Sequence, residues 1–504
     1  MKDQARLGGG ARRNEAQHER GKLTARERID ILLDAGTFEE IDQLVVHRAE
    51  EFGLAERHYL GDAVVTGYGS IDGRVVFVFS QDFTIFGGSL SEAMSEKIAK
   101  VLDLAIKTGA PVIGLYDTGG ARLQEGIASL GAWGDVLMRM ALASGAVPQI
   151  AVVLGPCVGR AAYAPGLSDF VFMTSGTAQM FVTGPEVIRS VTGEDLTHDE
   201  LGGAMSHAQH SGACHFVLDR DEDALLEVRR LLSFLPSNSM EPPPTRESAD
   251  DPHARADDLL QIVPAESTKS YDVREVIDRI VDDGDFMEVQ SLFAMNLVTG
   301  FARMAGQPIG VVANQPNNLA GSLDIDSARK AARFVRCCDA FNVPVLTLVD
   351  TSAYRPGTAQ EYGGIITHGA KLVYAYAEAT VPKVTVILRK AFGGAYDALG
   401  SKHLRADVNL AWPQAEVAVV GPDPAVSILY RARLQEAADP AAERAQLVAE
   451  YSERFANPYI VAARGYVDDV IDPRDTRRAV IESLRMLRSK TDTMPAKKHG
   501  NVPL

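Results

Sequence analysis

Cysteine, tryptophan, positive charge and long apolar runs are all scarce in this chain, and each scarcity excludes something. The four cysteines, at positions 157, 214, 337 and 338, form no CxxC pair. That argues against a thiolate metal site and against a disulfide framework, and no metal is expected. No apolar run approaches the roughly 20 residues that a membrane-spanning helix needs. The opening stretch, MKDQARLGGGARRNEAQHERGKLTARER, is charged throughout and has no apolar centre. It does not read as a secretory signal, so the expectation is a cytoplasmic protein away from the membrane. Lysine and arginine number 51 against 67 acidic residues, a formal net charge of −16. A surface of that sign does not suit nucleic acid as a general partner. A local basic patch can still oppose the global sign. Arg12, Arg13, Arg20, Lys22, Arg26 and Arg28 form one, suited either to an anionic nucleotide-bearing thioester or to a solvated helix face. Also missing are a Ser–His–Asp order, an HExxH motif and a Walker loop.

What is present is a long internal repeat. VVTGYGSIDGRVVFVFS from residue 64 is echoed by LVTGFARMAGQPIGVVA from 297. Gly67 matches Gly300, the GSL at 88–90 matches that at 321–323, and Asp117 matches Asp350, each 233 residues apart. A period this long means two domains of one fold, because solenoid repeats run only a few tens of residues. The division expected is 1–240 and 261–504, joined by a linker at 241–260 within a stretch rich in Pro, Ser and Asp. Within each half, β-rich runs alternate with segments apolar at helical spacing, which predicts an α/β fold with each sheet covered by helices. Ligand loops on such sheets lie at the carboxyl ends of strands, where DTGG, DTSA, GPCVGR and RKAFGG all fall.

Two of those loops, LGPCVGRAAYAPG (154–166) and LRKAFGGAYDALG (388–400), repeat the same turn. A strand that stops at glycine and feeds a helix presents backbone N–H groups at the helix start, able to stabilise an enolate oxygen. In measured enzymes one such donor is worth roughly 3–4 kcal/mol of barrier. A tight turn with no ligand is the plainer alternative. Asp117, Glu125, Asp350, Glu361 and His368 are available as general bases, but none stands out, since loop carboxylates and histidines commonly serve structure. Abundant donors without a clear base mean either that the substrate brings its own base or that the sequence hides one.

RGKLTARERIDILLD, DTGGARLQEG, GPCVGRAAYAP, AGSLDIDSARKAARFVR, PGTAQEYGGII, FGGAYD, SKHLRADVNLAWP and KKHGNVPL follow one another along nearly the whole chain. In that order they resemble the carboxyltransferase (β) subunit of biotin-dependent acyl-CoA carboxylases, propionyl-CoA carboxylase type. The resemblance implies two tandem crotonase-like domains related by duplication, assembled as a homo-hexamer. It implies carboxyl transfer from carboxybiotin to the α-carbon of an acyl-CoA, with biotin acting as the base. Gly159, Arg160 and Ala161 would hold the thioester enolate, and Gly393, Gly394 and Ala395 the ureido oxygen of biotin. Asp397 matches a position that helps set acyl-chain preference, and Gly119, Gly120 and Arg355 join it as substrate-binding candidates. The chain contains no Ala-Met-Lys-Met biotinylation sequence. Biotin would therefore arrive on a partner bearing biotin carboxylase and carrier functions.

The chain departs from that pattern in three places. Arg160 stands where the family usually has the second glycine of a Gly-Gly pair, at a cost on the order of 1 kcal/mol if that position were left-handed. DTSAYRPG (350–357) replaces an apolar DVPGFLPG-like run, and Thr367 stands where an arginine is common. A guanidinium fork suits a carboxylate, so Arg160 or Arg355 would read an unusual polar substrate, or else both reflect drift with weakened chemistry. A biotin-free acyl-CoA decarboxylase or other enolate-forming enzyme, and a silent paralogous subunit, stay open beside the carboxyltransferase. The intact FGGAYD favours the carboxyltransferase, and the altered Arg355 loop argues the other way.

Overall fold

The sequence repeat becomes two mixed sheets of eight strands each, one in each of two compact units, Met1–Pro242 and the chain from Pro243 onward. The structure is a computed structural model and describes residues 1–503.

In the first unit the strands are β1 (Glu39–Ile41), β2 (Val64–Ile71), β3 (Arg74–Gln81), β4 (Val112–Thr118), β5 (Gln149–Val158), β6 (Phe170–Thr174), β7 (Gln179–Phe181) and β8 (Phe216–Leu218). They run in the order β1-β2-β3-β4-β5-β6-β8, with β7 extending the far end of β5. β1, β2 and β3 pair antiparallel; from β3 onward the pairing is parallel. The second unit repeats this with β9 (Met287–Val289), β10 (Leu297–Met304), β11 (Gln307–Asn314), β12 (Val345–Thr351), β13 (Lys383–Phe392), β14 (Val408–Ala411), β15 (Glu416–Ala418) and β16 (Asp469–Val470). Its order, read from the other end, is β9-β10-β11-β12-β13-β14-β16, with β15 on the far end of β13.

The predicted sequence of strand, strand, Gly-rich loop, helix and strand holds in both units. Helix α2 (Glu92–Thr108) follows α1 (Ala25–Leu32) and starts where the Ser91 hydroxyl accepts from the Met94 N–H at 2.9 Å; it ends at left-handed Gly109. Its counterpart α5 (Ile325–Ala340) is capped by Asp324, which accepts from the Ser327 N–H at 2.9 Å. Both caps satisfy donors that the first helical turn leaves without partners. Met94, Ile98, Val101, Leu102 and Ala105 recur at helical spacing and are buried against the sheet. The central strands β4 and β12 are buried along their whole length, as parallel strands covered on both faces must be.

The GSL motif has a steric reason. Gly88 and Gly321 are both left-handed, and a Cβ there would fall 2.1 Å from the carbonyl oxygen of Asp117 and 2.3 Å from that of Asp350. Only glycine lets the loop lie against the end of the strand at these positions. β4–β5 and β12–β13 each shift register between residues 116 and 118 and between 349 and 351, which places Asp117 and Asp350 opposite a bulge.

Candidate active site

In the first unit β5 ends at Val158, and Gly159 then turns the chain with φ +64°. Residues Gly159–Ala162 form one 3₁₀ turn leading into the short helix α4 (Tyr163–Leu167), which follows α3 (Ile127–Ala143) in the chain. Arg160 is not left-handed, so the conformational cost considered for it does not arise; the glycine that the turn requires is Gly159. The Arg160 side chain is exposed and Ala161 is buried. The Arg160 carbonyl accepts from the indole N–H of Trp133 at 3.2 Å.

The second unit repeats the geometry. β13 ends at Phe392, Gly393 turns with φ +60°, and helix α7 (Gly393–Ala398) begins. A Cβ at Gly393 would sit 3.2 Å from the Val419 carbonyl, whereas one at Gly394 would meet nothing within 4 Å. Gly394 and Asp397 share a cavity of about 640 Å³ with Tyr354, His403 and Leu404 and with Ile365, Ile366 and Val373 of α6 (Ile365–Glu378). Its walls are thus largely apolar, with one carboxylate and one imidazole, the usual make-up of a small-molecule site. The Tyr354 and Tyr396 hydroxyls are buried without hydrogen-bond partners among the described residues, and burial pushes both phenols up to about 12.

The remaining candidates are placed as follows. Gly119 and Gly120 already use their backbone N–H groups, Gly119 to the Gly87 carbonyl at 2.9 Å and Gly120 to the Thr118 hydroxyl at 3.1 Å. Gly120 also backs onto Val158, immediately before the first turn. Arg355 is exposed and lies outside the cavity lining. It stands 233 residues after Arg122, the spacing of the internal repeat. The two N–H groups make equivalent bonds, Arg122 to Leu90 and Arg355 to Leu323. Arg122, however, is buried against Asp62 at 2.7 Å and Glu125 at 3.0 Å.

Among the possible bases, Asp117 is fully buried and accepts from Lys22, Arg28 and Gln17 at 2.8–3.0 Å. Asp350 is buried against Arg389 at 2.9 Å; burial pushes its carboxyl up and the arginine offsets part of that. Glu125 is held by Arg122 and by the Glu92 N–H. Glu361 is exposed. His368 is held below the usual imidazole range by burial, then by Lys371 and Arg329. The carboxylates Asp117, Asp350 and Glu125 thus serve structure. The basic patch is similarly divided: Lys22 and Arg28 serve Asp117, and Arg26 pairs with Glu40 at 2.7 Å.

Sequence reasoning missed two buried lysines. Lys97 donates to the Gly61 and Val64 carbonyls at 2.8 and 2.6 Å. Lys330 donates to the carbonyls of Gln290, Phe293 and Leu297 at 2.7–2.9 Å. The signal was their spacing, again 233 residues. Among the described residues no cluster of His, Cys, Asp or Glu is placed to hold a metal ion, and no helix is long and apolar enough to cross a membrane.

A profile of the carboxyl transferase domain matches residues 16–502. The propionyl-CoA carboxylase carboxyltransferase subunit of Haloferax mediterranei is 56% identical over 503 residues, covering 100% of this chain and 98% of that one. The methylmalonyl-CoA decarboxylase subunit alpha of Propionigenium modestum is 52% identical over 503 residues, covering 100% and 97%. A transcarboxylase 12S core, solved as a hexamer with methylmalonyl-coenzyme A and methylmalonic acid bound, superposes with a TM-score of 0.97 at 50% identity, covering 100% of this chain and 96% of its own. With matches running end to end over a duplicated fold of two crotonase-like domains, the chain is a carboxyltransferase and belongs to the carboxyl transferase domain family.

Proposed function

We propose that this carboxyltransferase transfers a carboxyl group from biotin, carried by a partner subunit with biotin carboxylase activity, to the α-carbon of a short acyl-CoA, propionyl-CoA first among them. The observation that carries the reading is the duplicated turn. Each unit ends its long central strand at a left-handed glycine, Gly159 or Gly393, and starts a helix there. Two oxygens gain negative charge in such a transfer, and two turns offer backbone donors to receive them. The relatives named as propionyl-CoA carboxylase subunits support the substrate, and the hexameric transcarboxylase supports a homo-hexamer.

The residues fit both ligands. The cavity beside Gly394, about 640 Å³ and largely apolar, suits a fused ring system, and a Cβ at Gly394 would meet nothing within 4 Å. Bound biotin supplies the carboxyl group and the base for the α-proton. The first unit (1–240) is the acyl-CoA side: Gly159, Arg160 and Ala161 hold the thioester oxygen as an enolate develops. The second (261–504), beyond a connecting stretch at 241–260, is the biotin side: Gly393, Gly394 and Ala395 receive the ureido oxygen. Asp397 lines that cavity with the α6 aliphatics and is the residue proposed to set acyl preference. Gly119 and Gly120 in the first unit, and Arg355 in the second, are the remaining substrate-binding candidates.

The test is labelled-bicarbonate fixation by the purified chain with a biotin carboxylase/carrier subunit and ATP, across acetyl-, propionyl-, butyryl- and carboxylated acyl-CoAs. Label on one neutral short acyl-CoA, dependent on the partner, supports the reading. Loss of carboxylate from methylmalonyl-CoA with no net fixation would instead assign the reverse direction, in line with the Propionigenium relative.

A further inference from the structure

We infer that Trp133 is a positioning residue for the acyl-CoA turn, aiming a backbone donor through a hydrogen bond to the opposite side of the same peptide group. This rests on the reading that the first-unit turn holds the thioester oxygen.

Trp133 lies on α3 and is fully buried, in the same core cluster as Ala161 and Ala164. Its Nε1–H has one acceptor, the Arg160 carbonyl at 3.2 Å. That carbonyl also accepts from the Tyr163 N–H, so the indole is a second donor to an oxygen the helical turn already engages. The Arg160 carbonyl and the Ala161 N–H belong to one planar trans peptide and point in opposite directions. Fixing the oxygen against a buried indole therefore fixes the direction of the Ala161 N–H, away from the indole. A carbonyl that accepts two hydrogen bonds also polarises the N–H across its own peptide, which strengthens it as a donor.

The device belongs to one unit. The chain has one other tryptophan, Trp412, and its indole N–H goes to the Thr476 hydroxyl at 2.9 Å. The turn at Gly393 is built without an indole, so a loss at Trp133 falls on the acyl-CoA half of the reaction.

The cleanest test replaces Trp133 with benzothienylalanine, which keeps the fused-ring shape and substitutes sulfur for N–H. Trp133→Phe is the second variant, in case the first expresses poorly. Each is assayed as the assembled enzyme with its biotin partner, for kcat and KM toward propionyl-CoA. Each is also titrated with propionyl-CoA and with ionised 2-nitropropionyl-CoA, a planar anion resembling the enolate. Expected is a fall in kcat of about 10- to 100-fold, since small misplacements of a reacting group have that effect. KM should stay within about twofold, because the bond matters for the charged state and not for ground-state binding. Affinity for the nitro anion should fall in parallel with kcat while that for propionyl-CoA holds. Equal weakening of both ligands would reduce Trp133 to a packing residue and overturn the inference. So would a benzothienylalanine enzyme equal to wild type in kcat and in anion affinity. Wild-type enzyme that fixes label into no acyl-CoA would defeat the functional reading instead.

Discussion

Arg389 Nε lies 2.9 Å from Asp350 Oδ2, while Gly155, the residue 234 positions earlier, contributes no side chain toward the matching Asp117. Each carboxylate is buried opposite the bulge in its own sheet, and a buried charge requires a partner. The second unit supplies it from the strand itself. The first leaves the strand bare and supplies it from the N-terminal segment, through Lys22 and Arg28. A Cβ at Gly155 would sit 2.1 Å from Asp117 Oδ1 and 2.9 Å from Lys22 Nζ.

Gly155→Ala should therefore push the carboxylate off its partners even though it adds one methyl group. A drop in apparent melting temperature of about 5 °C or more is expected from a destabilisation of a few kcal/mol. Arg389→Ala should do comparable harm by leaving Asp350 unpaired. Thermal scans of the assembled protein check both. An unshifted Gly155→Ala would mean that Asp117 has slack the geometry does not show.

Lys97 and Lys330 do the same work in the two units, tying carbonyls of a loop and of the strand it enters to a helix, but Lys330 satisfies three and Lys97 two. Replacing either with methionine keeps an unbranched apolar stem, one atom shorter, and orphans those acceptors, each at a cost of about 1–3 kcal/mol. Lys330→Met should be the more damaging. Melting temperatures of the two variants in one buffer decide the order, and a reversed order would count against the carbonyl count as the cause.

Which features were legible in the sequence follows from what each one needs. The GSL loops read clearly because backbone contact with Asp117 and Asp350 admits only glycine at 88 and 321, so the residues themselves repeat. The turn glycines read for the same reason. Lys97, Lys330 and Trp133 did not stand out, because their roles depend on acceptors 27–40 residues away that no local pattern marks. Lys22 and Arg28 read in the sequence as members of a surface patch, because a cationic side chain looks alike whether it faces water or a buried aspartate 89–95 residues on. Arg355 looked foreign beside the family motif and ordinary beside Arg122.

The Tyr354 hydroxyl is buried with no partner among the described residues, in the wall of the cavity. An orphaned hydroxyl costs stability, and removing it relieves that cost. Tyr354→Phe should leave the melting temperature unchanged or raise it slightly. A fall of several degrees would show that the hydroxyl is bonded in the assembled enzyme.

The two turns invite an exchange of residues between Arg160 and Gly394, which occupy the same place after a left-handed glycine. Neither position is itself left-handed, and a Cβ at Gly394 meets nothing within 4 Å, so both substitutions should fold. Their effects on function should differ. Gly394→Arg places a long cation over the 640 Å³ cavity and should reduce carboxylation by at least about 100-fold with the melting temperature nearly unchanged. Arg160→Gly leaves the backbone donor in place, since every residue but proline has one, and should keep turnover on propionyl-CoA within about tenfold. What it removes is an exposed guanidinium able to pair with a carboxylate on the acyl group. If Arg160 reads substrate charge, the ratio of kcat/KM for carboxylated over neutral acyl-CoAs should fall by about tenfold or more in Arg160→Gly. An unchanged ratio would mean that the guanidinium faces water.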